Sequence, residues 1–270
     1  MRKYIQYIIL VLGLFTTVYS QQIKIQIENS SKTSAALFSL QGEQVIFNDS
    51  IFAQQNDYFT YNADKLTNGF YQFRIEGKSP ITFIFAGENV GLKANSENIS
   101  ETIDIVKSVS NVIYYDFVDL NRDYKTKTEL LQLIIVRYPD NDDYYQTTVR
   151  KVNQIQNEYM SFIDSVVSLD AHLFIARYVQ SSQLPIVDFT LPIEQQVDYL
   201  KSHALDKVDF DDAELIYSDC FTNKSIEYLT YYQNPQLPKG LLEEEFQKAV
   251  DTLLTKASVN ILVYEHIAGY

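Results

Sequence analysis

The chain has 270 residues, 46% of them hydrophobic and 21% charged, and its 35 acidic side chains against 22 basic ones give a formal net charge of −13. That is a globular composition, with material for one or two domains and a sizeable core. The acidic excess excludes nucleic acid and anionic lipid surfaces as partners, because affinity for phosphate backbones rests on Lys and Arg displacing condensed counterions.

The N-terminus has the order of a secretory signal: basic Arg2 and Lys3, an apolar stretch over residues 8–15, then Val18-Tyr19-Ser20 before a pair of glutamines. An apolar run of about eight residues is well short of the ~20 that span a bilayer as a helix. Residues 1–20 are therefore expected to be removed, leaving Gln21 first. Loss of Arg2 and Lys3 takes the basic count from 22 to 20 against 35 acidic residues, a net charge of −15. No cysteine follows the cleavage site and no later segment is apolar enough to cross a membrane, so the expected product is periplasmic or extracellular and is not a lipoprotein. Cys220 is the single cysteine, which leaves stability to packing instead of disulfides.

From Ile23 the pattern has period two. Ile23, Ile25 and Ile27 alternate with Lys24, Gln26 and Glu28, one face inward and one in water. Short runs follow at 35–40, 44–47, 51–53, 58–61, 70–75, 81–85 and 90–93, separated by turn formers such as Gln41-Gly42, Asn48-Asp49, Asn68-Gly69 and Gly77-Lys78. This predicts an antiparallel β-sandwich over residues 21–98. The polar stretch 95–101 reads as a hinge. Beyond it the period becomes helical, with helices expected at 111–124, 127–137, 142–167, 171–180, 193–203, 220–232 and 241–266, the last broken near Ser258. The clearest stripe is Tyr145, Val149, Val152, Ile155, Tyr159, Phe162 and Val166. Strands followed by helices without alternation give an α+β fold, a β-sandwich and then an all-helical domain over 99–270.

No local motif carries chemistry. Cys220 has no second cysteine to form C-x-x-C and stands at helical spacing with Phe221, Ser225 and Tyr228, as a small buried filler does. His172, His203 and His266 are far apart, without a ligand partner three or four residues away. Asp140-Asn141-Asp142-Asp143 lacks the EF-hand glycine and has Lys151 at the twelfth position, so its expected role is to cap a helix. Asp206, Asp209, Asp211, Asp212 and Glu214 form a denser cluster of the same character. Among the 21 tyrosines, the adjacent pairs Tyr114-Tyr115 and Tyr231-Tyr232 are expected to leave one member of each exposed, since neighbours on a helix cannot both face inward. No catalytic, cofactor or metal site is expected.

Three blocks carry a family likeness: Gly69-Phe70-Tyr71-Gln72-Phe73 ahead of Ile81-Thr82-Phe83-Ile84-Phe85; Ser108-Val109-Ser110-Asn111-Val112-Ile113-Tyr114-Tyr115-Asp116-Phe117; and the stretch from Leu200 to Leu229 through Val208-Asp209-Phe210-Asp211-Asp212. Through them the chain resembles the N-terminal accessory region of exported thioredoxin-like thiol-disulfide oxidoreductases. In that group the redox work belongs to a later thioredoxin domain with a W-C-x-x-C motif, which these residues do not contain. The resemblance implies a non-catalytic accessory or interaction module whose partner is another exported protein or peptide. A glycan- or peptide-binding module, using exposed tyrosines or sheet edges, is the alternative.

Overall fold

The computed structural model describes residues 20–30, 34–54 and 57–270; the expected signal segment, apart from Ser20, lies outside them. The fold is mixed α+β, with eight strands in two antiparallel-rich sheets and eight α-helices among the described residues. One sheet has the order β4-β1-β7-β8, from β1 (Gln22–Glu28), β4 (Tyr58–Asn62), β7 (Val90–Asn95) and β8 (Asp104–Lys107). The other has the order β3-β2-β5-β6, from β2 (Ser34–Gln41), β3 (Gln44–Phe52), β5 (Gly69–Arg74) and β6 (Ile81–Phe85). The helices are α1 (Ile99–Thr102), α2 (Val109–Arg137), α3 (Asp143–Leu169), α4 (Phe174–Ser182), α5 (Ile193–His203), α6 (Cys220–Thr230), α7 (Lys239–Ala257) and α8 (Ile261–Gly269), with a 3-10 turn at Ala213–Tyr217 before α6.

Alternation explains how the sheets pack. Ile23, Ile25 and Ile27 of β1 meet Leu37, Phe73, Phe83 and Phe85 of the second sheet in one buried cluster, and Phe59 packs edge-on against Phe73 at 5.1 Å. Each such side chain contributes about 1.5–3 kcal/mol on leaving water. The opposite face of the second sheet is also buried along part of its length. Leu40, Phe70 and Ile84 join a second cluster with the helices, where Phe70 touches Tyr114 of α2 at 5.1 Å and Tyr178 of α4 at 4.8 Å.

Several elements differ from the expectation. The first sheet is not purely antiparallel: β1 pairs parallel with β7, Ile23 beside Val90 through Glu28 beside Asn95. No hairpin joins these strands, since the whole second sheet intervenes in sequence, so nothing forces an antiparallel return. The stretch read as a hinge forms α1 and leads into β8, which returns against β7. Ile99 is buried there, and the Thr102 hydroxyl accepts from the Asn95 N–H at 2.9 Å and donates to the Asn98 carbonyl. The two helices expected over 111–137 are one. Thr128, just past the expected break at 125–126, donates its hydroxyl back to the Tyr124 carbonyl at 2.7 Å and stays on the buried face. Residues 44–52 are likewise one strand, and the expected Asn48-Asp49 turn is a β-bulge.

Candidate interaction surface: one closed sheet edge and one open

Each outer strand of a sheet exposes a row of N–H and C=O groups, and native proteins blunt such rows with side chains, charges or short strands. In the second sheet the two edges are treated differently. At β6, the side-chain amide of Asn111 stands in for a neighbouring strand: its Oδ1 accepts from the Ile84 N–H at 2.8 Å and its Nδ2 donates to the Ile84 carbonyl at 2.8 Å. The Tyr115 hydroxyl, one helical turn on, donates to the Thr82 carbonyl at 2.8 Å.

Asn111 is held in place from behind. Ser108 caps α2, accepting from the Asn111 N–H at 3.0 Å and from Asn111 Nδ2 at 2.7 Å. It occupies φ 152°, a conformation rarely adopted by a residue with a Cβ. Glu88, in the turn after β6, compensates by accepting from the Ser108 hydroxyl at 2.8 Å and from the N–H groups of Val109 and Ser110 at 3.2 and 2.9 Å. A carboxylate on the free N–H groups of a 29-residue helix also matches the helix dipole.

The other edge, β3, is open among the described residues. Of these, only β2 pairs with it, apart from one isolated bridge just beyond its end. It is nine residues long, and only Ile51 is buried. Phe47 is 57% and Phe52 70% exposed, with Val45 and Ile46 also exposed. On the face away from the inter-sheet core, Phe47 packs edge-on against Phe38 at 5.6 Å. The Arg74 guanidinium lies over the Phe38 ring at 4.8 Å while its Nε donates to Gln72 Oε1 at 2.9 Å. Acidic Glu43 and Asp49 flank the apolar run Val45-Ile46-Phe47. The outer strands of the first sheet are shorter, five residues in β4 and four in β8, the latter with charged Asp104 and Lys107 at its ends. An exposed, long, apolar edge can take an added strand through its main chain and read alternate side chains through its face.

The residues weighed in the sequence lie elsewhere. Cys220 is fully buried at the start of α6, and burial pushes its thiol up to about 12, so it carries no thiolate at neutral pH. It borders a cavity of about 450 Å³ with Phe117, Tyr178, Lys224 and Glu227. Several polar groups around it serve one another: Lys224 donates to the Gln183 carbonyl and to Glu227 at 3.0 Å, Tyr231 donates to Glu227 at 2.9 Å, and Tyr178 donates to Asp219 at 2.9 Å, whereas the buried Ser182 hydroxyl on the same wall has no hydrogen-bond partner among the described residues. Burial raises the Asp219 carboxyl.

The three histidines do not converge. His172 is exposed, His203 stacks on Tyr199 at 4.3 Å, and His266 sits half-buried against Gly42 at the β2–β3 turn. Among the described residues no three His, Cys, Asp or Glu side chains are placed to hold a metal. Asp142 caps α3, accepting from the Tyr144 N–H at 2.7 Å. Asp212 caps the 3-10 turn and, with Glu214, pairs with Arg177. Asp209 accepts from the Asp211 N–H, and Asp206 is exposed.

The tyrosine pairs correct the expectation, for all four are partly buried. Tyr114 faces the aromatic cluster while Tyr115 covers the β6 edge; Tyr231 reaches Glu227 while Tyr232 shares a 2.7 Å hydrogen bond with Tyr228. Tyr114 and Tyr115 thus pack on different elements, whereas the Tyr231 and Tyr232 hydroxyls turn back onto Glu227 and Tyr228 of their own helix. The residues that shape the sheet edges do not stand out in the sequence, although a serine three residues ahead of an asparagine at the start of a helical run is a capping signal. Three consecutive apolar residues, Val45-Ile46-Phe47, likewise break the alternation that a one-sided strand requires. No protein-family model matches this chain, and neither a curated protein nor a solved structure does.

Proposed function

We propose that this chain is a non-catalytic interaction module of the exported compartment, and that it binds an extended segment of another exported protein along β3. The carrying observation is the contrast between edges: the chain commits Asn111, Tyr115, Ser108 and Glu88 to closing β6 and leaves its longest strand open and apolar. In this reading the two sheets are a sandwich, and the helices brace the second sheet from its outer face. The occupant is a segment with an apolar centre flanked by Lys or Arg, because Glu43 and Asp49 stand at either end of Val45-Ile46-Phe47. A second copy is the poorer occupant, since each processed chain would carry a net charge of −15, from 20 basic against 35 acidic residues, and like charges brought together oppose association. The likeness to the front region of thioredoxin-like oxidoreductases fits a module that presents clients to a redox domain, and the burial of Cys220 fits a chain whose one cysteine does no thiol chemistry.

The test is fluorescence anisotropy with labelled peptides about as long as β3, alternating Val or Phe with Thr and ending in Lys, against scrambled and acid-ended controls. Binding that is lost in Phe47→Glu and Phe52→Glu is expected. Absence of binding, or binding indifferent to both substitutions, overturns the reading. Reduction of insulin disulfides by the purified chain, abolished by Cys220→Ser, would overturn its non-catalytic part.

A further inference from the structure

Residues 20–22 are tied down by specific polar contacts where β1 enters the sheet. The Gln21 N–H donates to Asp64 Oδ1 at 2.7 Å, and the Ser20 hydroxyl donates to Oδ2 of the same carboxylate at 3.1 Å. The Gln21 side-chain amide donates to the Gly87 carbonyl, the Gln21 backbone carbonyl accepts from the Ala63 N–H at 2.8 Å, and the Gln22 N–H donates to Asn89 Oδ1 at 2.9 Å. Asp64 itself follows β4, where its N–H is fixed by Asn62 Oδ1 at 2.9 Å. One carboxylate thus has both oxygens turned toward residues 20 and 21, the two sides of the junction expected from Val18-Tyr19-Ser20.

We infer that Asp64 is the receiving group for a processed N-terminus at Gln21, pairing its α-ammonium and protecting that glutamine from cyclisation to pyroglutamate. The inference rests on the export reading. Cleavage after Ser20 removes one donor from Asp64 and turns the Gln21 N–H into an ammonium with three, so the freed Oδ2 gains a replacement at the same place. An N-terminal glutamine cyclises when its neutral α-amine attacks its own side-chain Cδ. A C–N bond forms, the amide C–N bond breaks, and the amine proton leaves with the departing nitrogen as ammonia. Both groups that must meet are engaged here, the nitrogen by Asp64 and the side-chain amide by Gly87. An adjacent carboxylate also favours the protonated amine, and raising the α-amino pKa by about 1 removes about tenfold of the reactive neutral form. Of the other charged groups close in sequence, Lys65 is exposed and Glu88 is turned onto the start of α2.

The test uses the chain from Gln21 onward, released from a fusion by a protease that leaves no added residue, as wild type and as Asp64→Asn and Asp64→Ala. Loss of ammonia is followed by intact mass at about pH 6.5, more than a unit below the ordinary α-amino pKa, where a shift of about 1 translates into the full tenfold change in neutral amine, and the Gln21 amine is titrated by nitrogen-15 NMR on material shown to be folded. The expected result is an amine pKa higher in the wild type than in either variant by about 1, and a cyclisation rate about tenfold higher in both variants. Equal rates and equal amine pKa values overturn the inference. The mass of the chain from the exported fraction decides separately whether the cell makes this terminus: a first residue other than Gln21 overturns the inference alone, whereas no export overturns the reading beneath it.

Discussion

Asn111→Ala tests whether one side chain closes the β6 edge. Asn111 and Ile84 are both fully buried, so the substitution strands the Ile84 N–H and C=O without partners. A buried backbone group left unsatisfied costs about 1–3 kcal/mol, so the pair costs roughly 2–6 kcal/mol. Alanine returns less than about 0.7 kcal/mol through helix propensity. A net loss of about 3 kcal/mol is expected, equivalent to a fall in Tm of roughly 6–12 °C for a domain of this size. Urea unfolding followed by tyrosine emission and far-ultraviolet circular dichroism measures it, since the chain has no tryptophan. Asn111→Asp sharpens the test. It keeps the acceptor for the Ile84 N–H but sets a carboxylate oxygen against the Ile84 carbonyl, so its deficit exceeds that of alanine at neutral pH and shrinks in acid, where the protonated carboxyl donates again. An alanine variant that loses under about 1 kcal/mol, the size of one ordinary hydrogen bond, would refute the assignment.

Gly42→Ala is expected to cost roughly 2–5 kcal/mol in thermal melts, because Gly42 has φ 58° and an added Cβ would lie 2.8 Å from His266 Cε1 and 2.9 Å from Thr222 Oγ1. Cys220 is expected to resist maleimide in the native protein at neutral pH and to react once urea unfolds the chain; prompt native labelling would contradict a thiol pushed up to about 12 by burial. Burial raises the Asp219 carboxyl above its ordinary value of 3.8, so the folded state holds this proton more tightly, and its contribution to stability falls as pH rises from about 4 through the folded-state value. Asp219→Asn, which keeps an acceptor for the Tyr178 hydroxyl, is therefore expected to melt higher than wild type near pH 7, with the difference vanishing toward about pH 4; a constant difference across that range would count against it.

Much of the fold is legible in the sequence because period and punctuation are local. Ile23, Ile25 and Ile27 mark a strand buried on one face, and the helical period over 193–203 coincides with α5 at both ends. The break near Ser258 is where α7 stops and Asn260 caps α8, accepting from the Leu262 N–H at 3.0 Å. What escapes depends on partners distant in sequence. Parallel pairing of β1 with β7 has no local signature, and α1 and β8 look like a polar hinge until Ile99 is seen to be buried. At β3, the same residues that suggest two short strands and a turn form one bulged strand, because Leu37 and Phe38 of β2 accommodate the extra residue. The sheet edges are the least legible feature. Asn111 reads as an ordinary polar residue until the fold brings Ile84 to it from 27 positions away.

The asymmetry of the second sheet bears on how the open edge avoids self-pairing. A bulge at Asn48 interrupts the ladder and bends the strand, which limits the length another edge can match, and Glu43 and Asp49 bracket the apolar run with like charges that repel a second β3. These devices act against a copy of the same strand but not against a shorter segment with basic ends, whose charges turn the same bracket into attraction. Arg74, standing over the Phe38 ring at 4.8 Å and tied to Gln72, covers part of the outer face and leaves Phe47, edge-on against Phe38, largely exposed beside it. A segment added along β3, as proposed, would meet on that face a tethered cation, its aromatic floor and the exposed side of Phe47, an arrangement that would order little of the protein on binding and so keep the entropic cost with the incoming chain.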